Sequence, residues 1–281
     1  MQRIIRRLKP EALLLHIPKT GGTYVAQHES KQGPVVQPLT SIGHVFIKDR
    51  GHEPPQPFPL NGFQRGCVVD RRKLRGTRVL ACVRNPFSWL VSYAGHAGGW
   101  NPKYRDPDHY DYDNANRGFE YLVKTIADRD DTWPSRKPLF IQLFGTDGSL
   151  VPHYVARNET LADDLEDFAA RHGFVHRPGP TQRHGGHDDY RSYYTDELVE
   201  RVTATWRREL ALFAYDFDGL TNAEPLLPRH IDADARHGFH YDYHSDRLSI
   251  DGFVFEPSTS DAASLPLSAL TDGEPAVDQA A

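Results

Sequence analysis

Two short apolar runs constrain this chain most: "ALLLHI" (12–17) and "RVLACV" (78–83). Both are continuous rather than alternating. A strand buried on both faces reads this way, as in the interior of a parallel sheet. "HYVAR" (153–157) reads as a further strand. The two apolar runs lead directly into a turn and then a helix-like segment. After "ALLLHI", Gly21 and Gly22 break the strand, and "TYVAQHES" predicts a helix start near Thr23. After "RVLACV", "RNPFSWLVSYAGH" reads as a helix with Pro86 in its first turn, where a missing N–H costs nothing. A further strand is expected in "GHVFIKD" (43–49). Helices are expected over 118–128, over 159–173 with Leu161, Leu165 and Phe168 as the buried stripe, and over 195–215 with Thr195 as N-cap. Residues 138–145 form a short apolar helix or strand. Residues 51–64, 98–116 and 176–189 read as loops. Strands alternating with helices argue for an α/β fold with a mostly parallel central sheet flanked by helices.

Residues 238–255 alternate well enough for a hairpin around His244–Arg247. Residues 257–281 have the composition of a disordered acidic tail. The expected organisation is a main domain over 1–220, an extension over 221–256 and that tail. The 281-residue chain has two cysteines, Cys67 and Cys82, which fit a reducing compartment, although one bridge stays open. No apolar run approaches the roughly 20 residues that span a bilayer, and the N-terminus is a poor signal peptide. A cytoplasmic location is the expectation.

The formal net charge of −5 is unevenly spread. Arg65, Arg71, Arg72, Lys73, Arg75, Arg78 and Arg84 crowd one segment, opposed there by Asp70. The residues from Thr221 onward are acidic, with Arg229, Arg236 and Arg247 as the positive charges. A local basic cluster in an acidic protein suits a small anionic ligand better than nucleic acid, which needs a broad basic face. For most of these arginines a solvated basic loop is the simpler reading.

The segment "HIPKTGGTY" has the makings of an anion cradle. Successive backbone N–H groups and a helix N-terminus converge on one spot, and glycine permits close approach. Lys19 adds a charge, and Thr20 and Thr23 add hydroxyls. The lysine precedes the paired glycines, whereas the ATP-type motif G-x-x-x-x-G-K-[ST] places it after them, and no aspartate ends an apolar strand as a magnesium ligand. Arg84 stands at a strand end, and Ser92 follows eight residues later, about two helical turns on. An Arg fork and a Ser hydroxyl so placed can meet on one phosphate.

Together these segments resemble the sulfotransferases that use 3′-phosphoadenosine 5′-phosphosulfate (PAPS), in the branch containing heparan-sulfate 2-O- and chondroitin-type carbohydrate enzymes. "HIPKTGGT" resembles the family's 5′-phosphosulfate loop. "VRNPFSWLVSY" resembles its 3′-phosphate motif, roughly R-[DN]-P-x-x-R-x-x-S. "YVARNETLADDLEDF" and "YYTDELVERVTATWRRELALFAYDF" are similar to later segments, so the resemblance covers about residues 11–219. It implies a P-loop-like three-layer fold. It also implies that Lys19, Thr20, Gly21, Gly22, Thr23 and Tyr24 cradle the 5′-phosphosulfate, while Arg84 and Ser92 take the 3′-phosphate. Three residues depart from the pattern: Asn85 where Asp is common, Trp89 in place of the middle Arg, and Ala214 in place of Gly before "YDF".

The implied reaction is in-line sulfuryl transfer from PAPS to an acceptor hydroxyl, on a carbohydrate or glycoconjugate. Lys19 would stabilise the leaving oxygen. His44, in a Gly-His-apolar-aromatic segment like the family's, would be the general base. His16 reads as structural. His172, His176, His184 and His187 invite a metal reading, but Gly173, Pro178, Gly185 and Gly186 interrupt any helix that would align them, so no metal is expected. Asp188, Tyr190, Tyr193 and Tyr194 stand open between lining an acceptor cleft and ordinary packing. A P-loop small-molecule kinase and a non-catalytic nucleotide-binding relative are the alternatives.

Overall fold

The computed structural model describes residues 12–15, 17, 19–21, 24–25, 40–41, 46–48, 68–98, 107, 109, 111–128, 139–172, 189–232, 235–243 and 245–255. His16, Gly22, Thr23, His44, Cys67 and Asp188 lie outside them. So do the loops at 51–64 and 176–188 and the tail over 257–281.

The two apolar runs and "HYVAR" are strands of one parallel sheet. They are β1 (Ala12–Leu15), β5 (Arg78–Val83) and β6 (Tyr154–Arg157), joined at the far edge by β2 (Thr40–Ser41). The order is β2-β1-β5-β6, and every pairing is parallel. The continuous apolar pattern has a direct cause. Leu13, Leu15, Val79, Ala81, Val83 and Val155 belong to one core, and Ala12, Leu14, Leu80, Cys82, Tyr154 and Ala156 to another. Successive strand residues face opposite sides, so a sheet covered on both faces needs apolar residues at every position. The chain has an α/β fold.

Helix α1 (Pro86–Ala97) leaves β5 at once. Its N-cap is Asn85, whose side-chain oxygen accepts from the Phe87 N–H at 3.0 Å. The Asn85 Nδ2 donates to the Asp216 carbonyl at 2.7 Å. A carboxylate could cap the helix but could not make that second bond, which accounts for Asn at this position. Trp89 is a core residue, 4% exposed and stacked on Tyr93 at 4.9 Å between ring centroids. No cation stands where the family pattern has its middle arginine.

Within the stretch read as a loop over 98–116, Tyr112–Asn116 forms a short helix, α2. Helix α3 is Phe119–Asp128, and the apolar stretch after it includes a 3-10 turn over Leu139–Leu143. Helix α4 (Leu161–His172) buries Leu161, Leu165 and Phe168 against the second core, as their spacing predicts. The expected long helix over 195–215 is two helices, α5 (Asp196–Thr205) and α6 (Arg207–Phe213). Trp206 breaks it, with φ −108 and ψ 26. Thr195 caps α5 by accepting from Leu198 N–H at 3.4 Å.

The strand expected at 43–49 is β3 (Phe46–Lys48), paired in parallel with β4 (Val68–Asp70) as a separate two-stranded sheet. A two-residue hairpin of β7 (Tyr215–Asp216) and β8 (Gly219–Leu220) follows α6. The expected C-terminal hairpin is present as β9 (Phe239–Asp242) and β10 (Arg247–Ile250), extended by β11 (Phe253–Phe255). Phe239, Tyr241, Leu248 and Ile250 lie in the same core as α1, α3 and α5. The residues before β9 run antiparallel beside β6: Val155 N–H donates to Arg229 O at 2.8 Å, and Ile231 N–H to His153 O at 2.9 Å. Among the described residues, no helix is long and apolar enough to cross a membrane.

Candidate active site

The sheet order places β1 inside, with the chain leaving it for β2 on one side and β5 on the other. That is a topological switch point, and ligands of open α/β sheets bind in the crevice beyond the carboxyl ends of such strands. Lys19 follows β1, Arg84 follows β5, and Arg157 ends β6. Three neighbouring parallel strands therefore each deliver one cation to the same edge.

The loop after β1 is tightly built. Lys19 has φ 62, a left-handed conformation that costs a non-glycine residue about 1–2 kcal/mol. Gly21 has φ 99, and a Cβ there would lie 2.6 Å from Leu161 and 2.7 Å from Asn158. Only glycine lets the loop sit against the start of α4. Thr20 is fully buried and donates its hydroxyl to Ile17 O at 2.9 Å, closing the turn. Tyr24 and Val25 begin the following helix, with Val25 N–H donating to Gly21 O at 3.2 Å.

Arg84 ties the loop to β5. Its Nη1 donates to Lys19 O at 3.2 Å, and its Nε to Ser88 Oγ at 2.8 Å. Ser88, one helical turn into α1, is thus the hydroxyl that orients Arg84. Ser92 lies a turn further along, half-buried. The ammonium pKa of Lys19 is lowered, by burial and then by the Arg84 charge. That of Arg84 is also lowered by burial, against the pull of Glu159 and Tyr215.

Arg157 was visible in the sequence only as the end of a strand. In the structure it is 8% exposed, and its guanidinium makes no hydrogen bond or ion pair among the described residues. The nearby acids are engaged elsewhere. Glu159 accepts from Asn85 N–H at 3.1 Å and from Tyr215 OH at 2.6 Å. Asp164, fully buried, pairs with Arg229 at 2.9 Å and accepts from the Arg157 backbone N–H at 2.7 Å. Burial and the Arg229 charge lower the pKa of Arg157. A buried cation without a contacting acid is costly, and an anionic ligand would relieve the cost. The sequence marks Arg157 as the arginine ending a strand in "YVARNETLADDLEDF", a segment similar to one of the sulfotransferases', but not its isolation, which depends on where Asn85 and Tyr215 draw Glu159.

The tyrosines before α5 are packing residues. Tyr193 and Tyr194 meet Phe119 edge-on at 5.5 and 5.0 Å, Tyr194 OH donates to Phe87 O at 2.8 Å, and Tyr190 packs edge-on against Phe217. Cys82 is a free thiol buried in β5, its pKa pushed up by burial. Among the described residues, no three His, Cys, Asp or Glu side chains are grouped to hold a metal ion. No model of a known protein family matches the chain, and no curated protein matches it.

Proposed function

We propose that the chain is a sulfotransferase that moves the sulfuryl group of PAPS to an acceptor hydroxyl, with a carbohydrate or glycoconjugate as the acceptor. The observation that carries this reading is the row Lys19, Arg84 and Arg157 at the carboxyl ends of adjacent strands, with no carboxylate ion-paired to any of the three among the described residues. Neighbouring strands lie about 4.8 Å apart, so the row spans roughly 10 Å. That spread suits a ligand with separated anionic groups better than one phosphate. PAPS carries a 5′-phosphosulfate and a 3′-phosphate. The interior β1, its glycine turn and the parallel sheet agree with a P-loop-like three-layer architecture. The order of the motifs in the sequence points the same way.

The residues fit the donor: a strained, glycine-supported loop, a tethered arginine and a buried guanidinium in want of an anion. When bound, PAPS supplies an activated sulfuryl group. In this reading the cradle is Lys19, Thr20, Gly21, Gly22, Thr23 and Tyr24, and Arg84 with Ser92 takes the 3′-phosphate. Arg157 adds a third charge. As the acceptor oxygen bonds to sulfur and the bond from sulfur to the bridging oxygen breaks, Lys19 neutralises the charge that develops there. His44 takes the acceptor proton; its assignment rests on sequence alone.

The test is calorimetry with 3′-phosphoadenosine 5′-phosphate. Charged hydrogen bonds contribute about 1.5–3 kcal/mol each, so Lys19→Ala, Arg84→Ala and Arg157→Ala should each weaken binding by roughly 10- to 100-fold. Absence of binding, or variants that bind like the parent, overturns the reading. Magnesium-dependent ATP turnover would favour the kinase. Labelled PAPS with an extract of the native host should give a sulfated product that His44→Ala abolishes, and nucleotide binding without any transfer would favour the non-catalytic relative.

A further inference from the structure

We propose that the opposite, amino edge of the same sheet carries a second anion site, built around Arg236, for a doubly charged oxyanion such as free phosphate, free sulfate or a phosphate monoester. The site is independent of the nucleotide reading. Arg78 and Arg84 flank the same six-residue strand, so the two edges are roughly 20 Å apart. One oxyanion cannot reach both.

Three arginines meet at this edge. Arg71 lies in the 3-10 turn after β4 and donates to Asp147 Oδ1 at 3.3 Å and to Ser149 O at 3.2 Å. Arg78 opens β5 and is exposed, and it makes no ion pair among the described residues. Arg236 lies in the 3-10 turn Ala235–Gly238 that leads into β9. Its Nε and Nη2 are buried and have no hydrogen-bond partner. A guanidinium is always charged, and its donors are costly to leave unmet inside a protein. Among the described residues, nothing accepts from those two nitrogens.

The surroundings add positive charge where a structural arginine would need negative. Arg71 and Arg78 both act on Arg236 and, after burial itself, lower its pKa. Among the described residues, Asp147 is the carboxylate seen ion-paired with these three guanidiniums, so positive charge is in excess there. A dianion matches that excess, and the guanidinium fork matches tetrahedral oxygens. His153 contributes a neutral donor. Its Nδ1 accepts from Val79 N–H at 3.0 Å, so the neutral ring carries its proton on Nε2. Burial, then Arg236 and Arg78, hold its pKa down to about 3, so the ring is uncharged at neutral pH. The basic segment around residues 65–84 thus splits: Arg84 serves the carboxyl edge, and Arg71 and Arg78 serve this one.

The test titrates inorganic phosphate, inorganic sulfate and phenyl phosphate into the full chain carrying Lys19→Ala and Arg84→Ala, which weakens the carboxyl edge. One binding event should persist, and which of the three probes binds best distinguishes a free anion from a monoester. Adding Arg236→Gln should weaken it at least tenfold. Arg78→Gln, at an exposed position, should weaken it about threefold. If the double background does not fold, the parent is titrated instead, and Arg236→Gln should lower the phosphate stoichiometry by one. Without anion, Arg236→Gln should melt no lower than its parent, and with saturating phosphate it should lose the upward shift that the parent shows. The proposal is overturned if no probe binds, if both arginine variants bind like the parent, or if Arg236→Gln already melts lower without anion, since the arginine would then serve the fold alone.

Discussion

The two edges of the sheet are both cationic, but they hold their cations differently. At the carboxyl edge Arg84 is fixed by neutral partners, Lys19 O and Ser88 Oγ, while the acids Glu159 and Asp164 are occupied with backbone N–H groups, Tyr215 and Arg229. At the amino edge Arg71 is fixed by a carboxylate, and Arg236 has two nitrogens fixed by nothing. Backbone strain does not separate them. Lys19 (φ 62) and Ala214 (φ 55) are non-glycine residues in the left-handed region at the carboxyl edge, and Asp251 (φ 49), whose N–H donates to Gly238 O at 2.7 Å in the turn that holds Arg236, is another at the amino edge. The difference between the edges lies in how their cations are partnered.

The sharpest way to break this contrast is to remove one acid from each edge. Asp164 is fully buried. Besides Arg229 and the Arg157 N–H, it accepts from the Thr160 hydroxyl at 2.9 Å. Asp164→Ala should cost about 3–5 kcal/mol, because it leaves partners of a buried charge unmet. Asp147 is partly exposed and pairs with a partly exposed Arg71. Asp147→Ala should cost about 1 kcal/mol. Urea denaturation of both variants checks this, and equal losses would mean that the two edges are held alike.

A smaller effect separates the edges by pH. His153 has a folded pKa near 3 against an ordinary 6.5, with burial as the main cause. The unfolded chain therefore binds the extra proton first as pH falls. The stability tied to the neutral ring is fully present above pH 6.5 and is lost progressively as pH drops from about 6.5 towards about 3. One such group can contribute a slope of at most about 1.4 kcal/mol per pH unit. His153→Gln should flatten the acid limb of a stability-versus-pH curve over that window. An unchanged slope would show that the amino edge does not hold this ring neutral.

Much of this architecture was legible in the sequence. "RVLACV" is β5 residue for residue, because a strand covered on both faces has no polar position to blur its ends. The break at Trp206 was not legible. Trp206 N–H donates to Val202 O at 2.9 Å and Leu210 N–H to Trp206 O at 3.1 Å, so the apolar period runs on through the kink. Lys19 and Arg84 could be found from local motifs, because a glycine turn and a strand–proline–helix junction are local events. The isolation of Arg157 and Arg236 could not. It follows from where distant partners go: Glu159 to Asn85 and Tyr215, and Asp147 to Arg71.

The smallest expected effect tests the cost of the carboxyl edge's strain. Ala214 ends α6 in the left-handed conformation, with its N–H donating to Ala211 O, and Thr221 N–H returns to Ala214 O at 2.9 Å. The turn it makes delivers Tyr215 OH to Glu159 and the Asp216 carbonyl to Asn85. A residue with a Cβ pays about 1–2 kcal/mol to sit there, whereas glycine does not. Glycine also gains entropy in the unfolded chain and leaves a small void where a 6%-exposed methyl was packed. These terms offset part of the relief. Ala214→Gly should therefore raise stability by roughly 0.5–1 kcal/mol, with no change in nucleotide affinity. Thermal denaturation and calorimetry read the two effects separately. If Ala214→Gly weakened nucleotide binding instead, the rigidity of that turn, and not only its shape, would be what holds Glu159 away from Arg157.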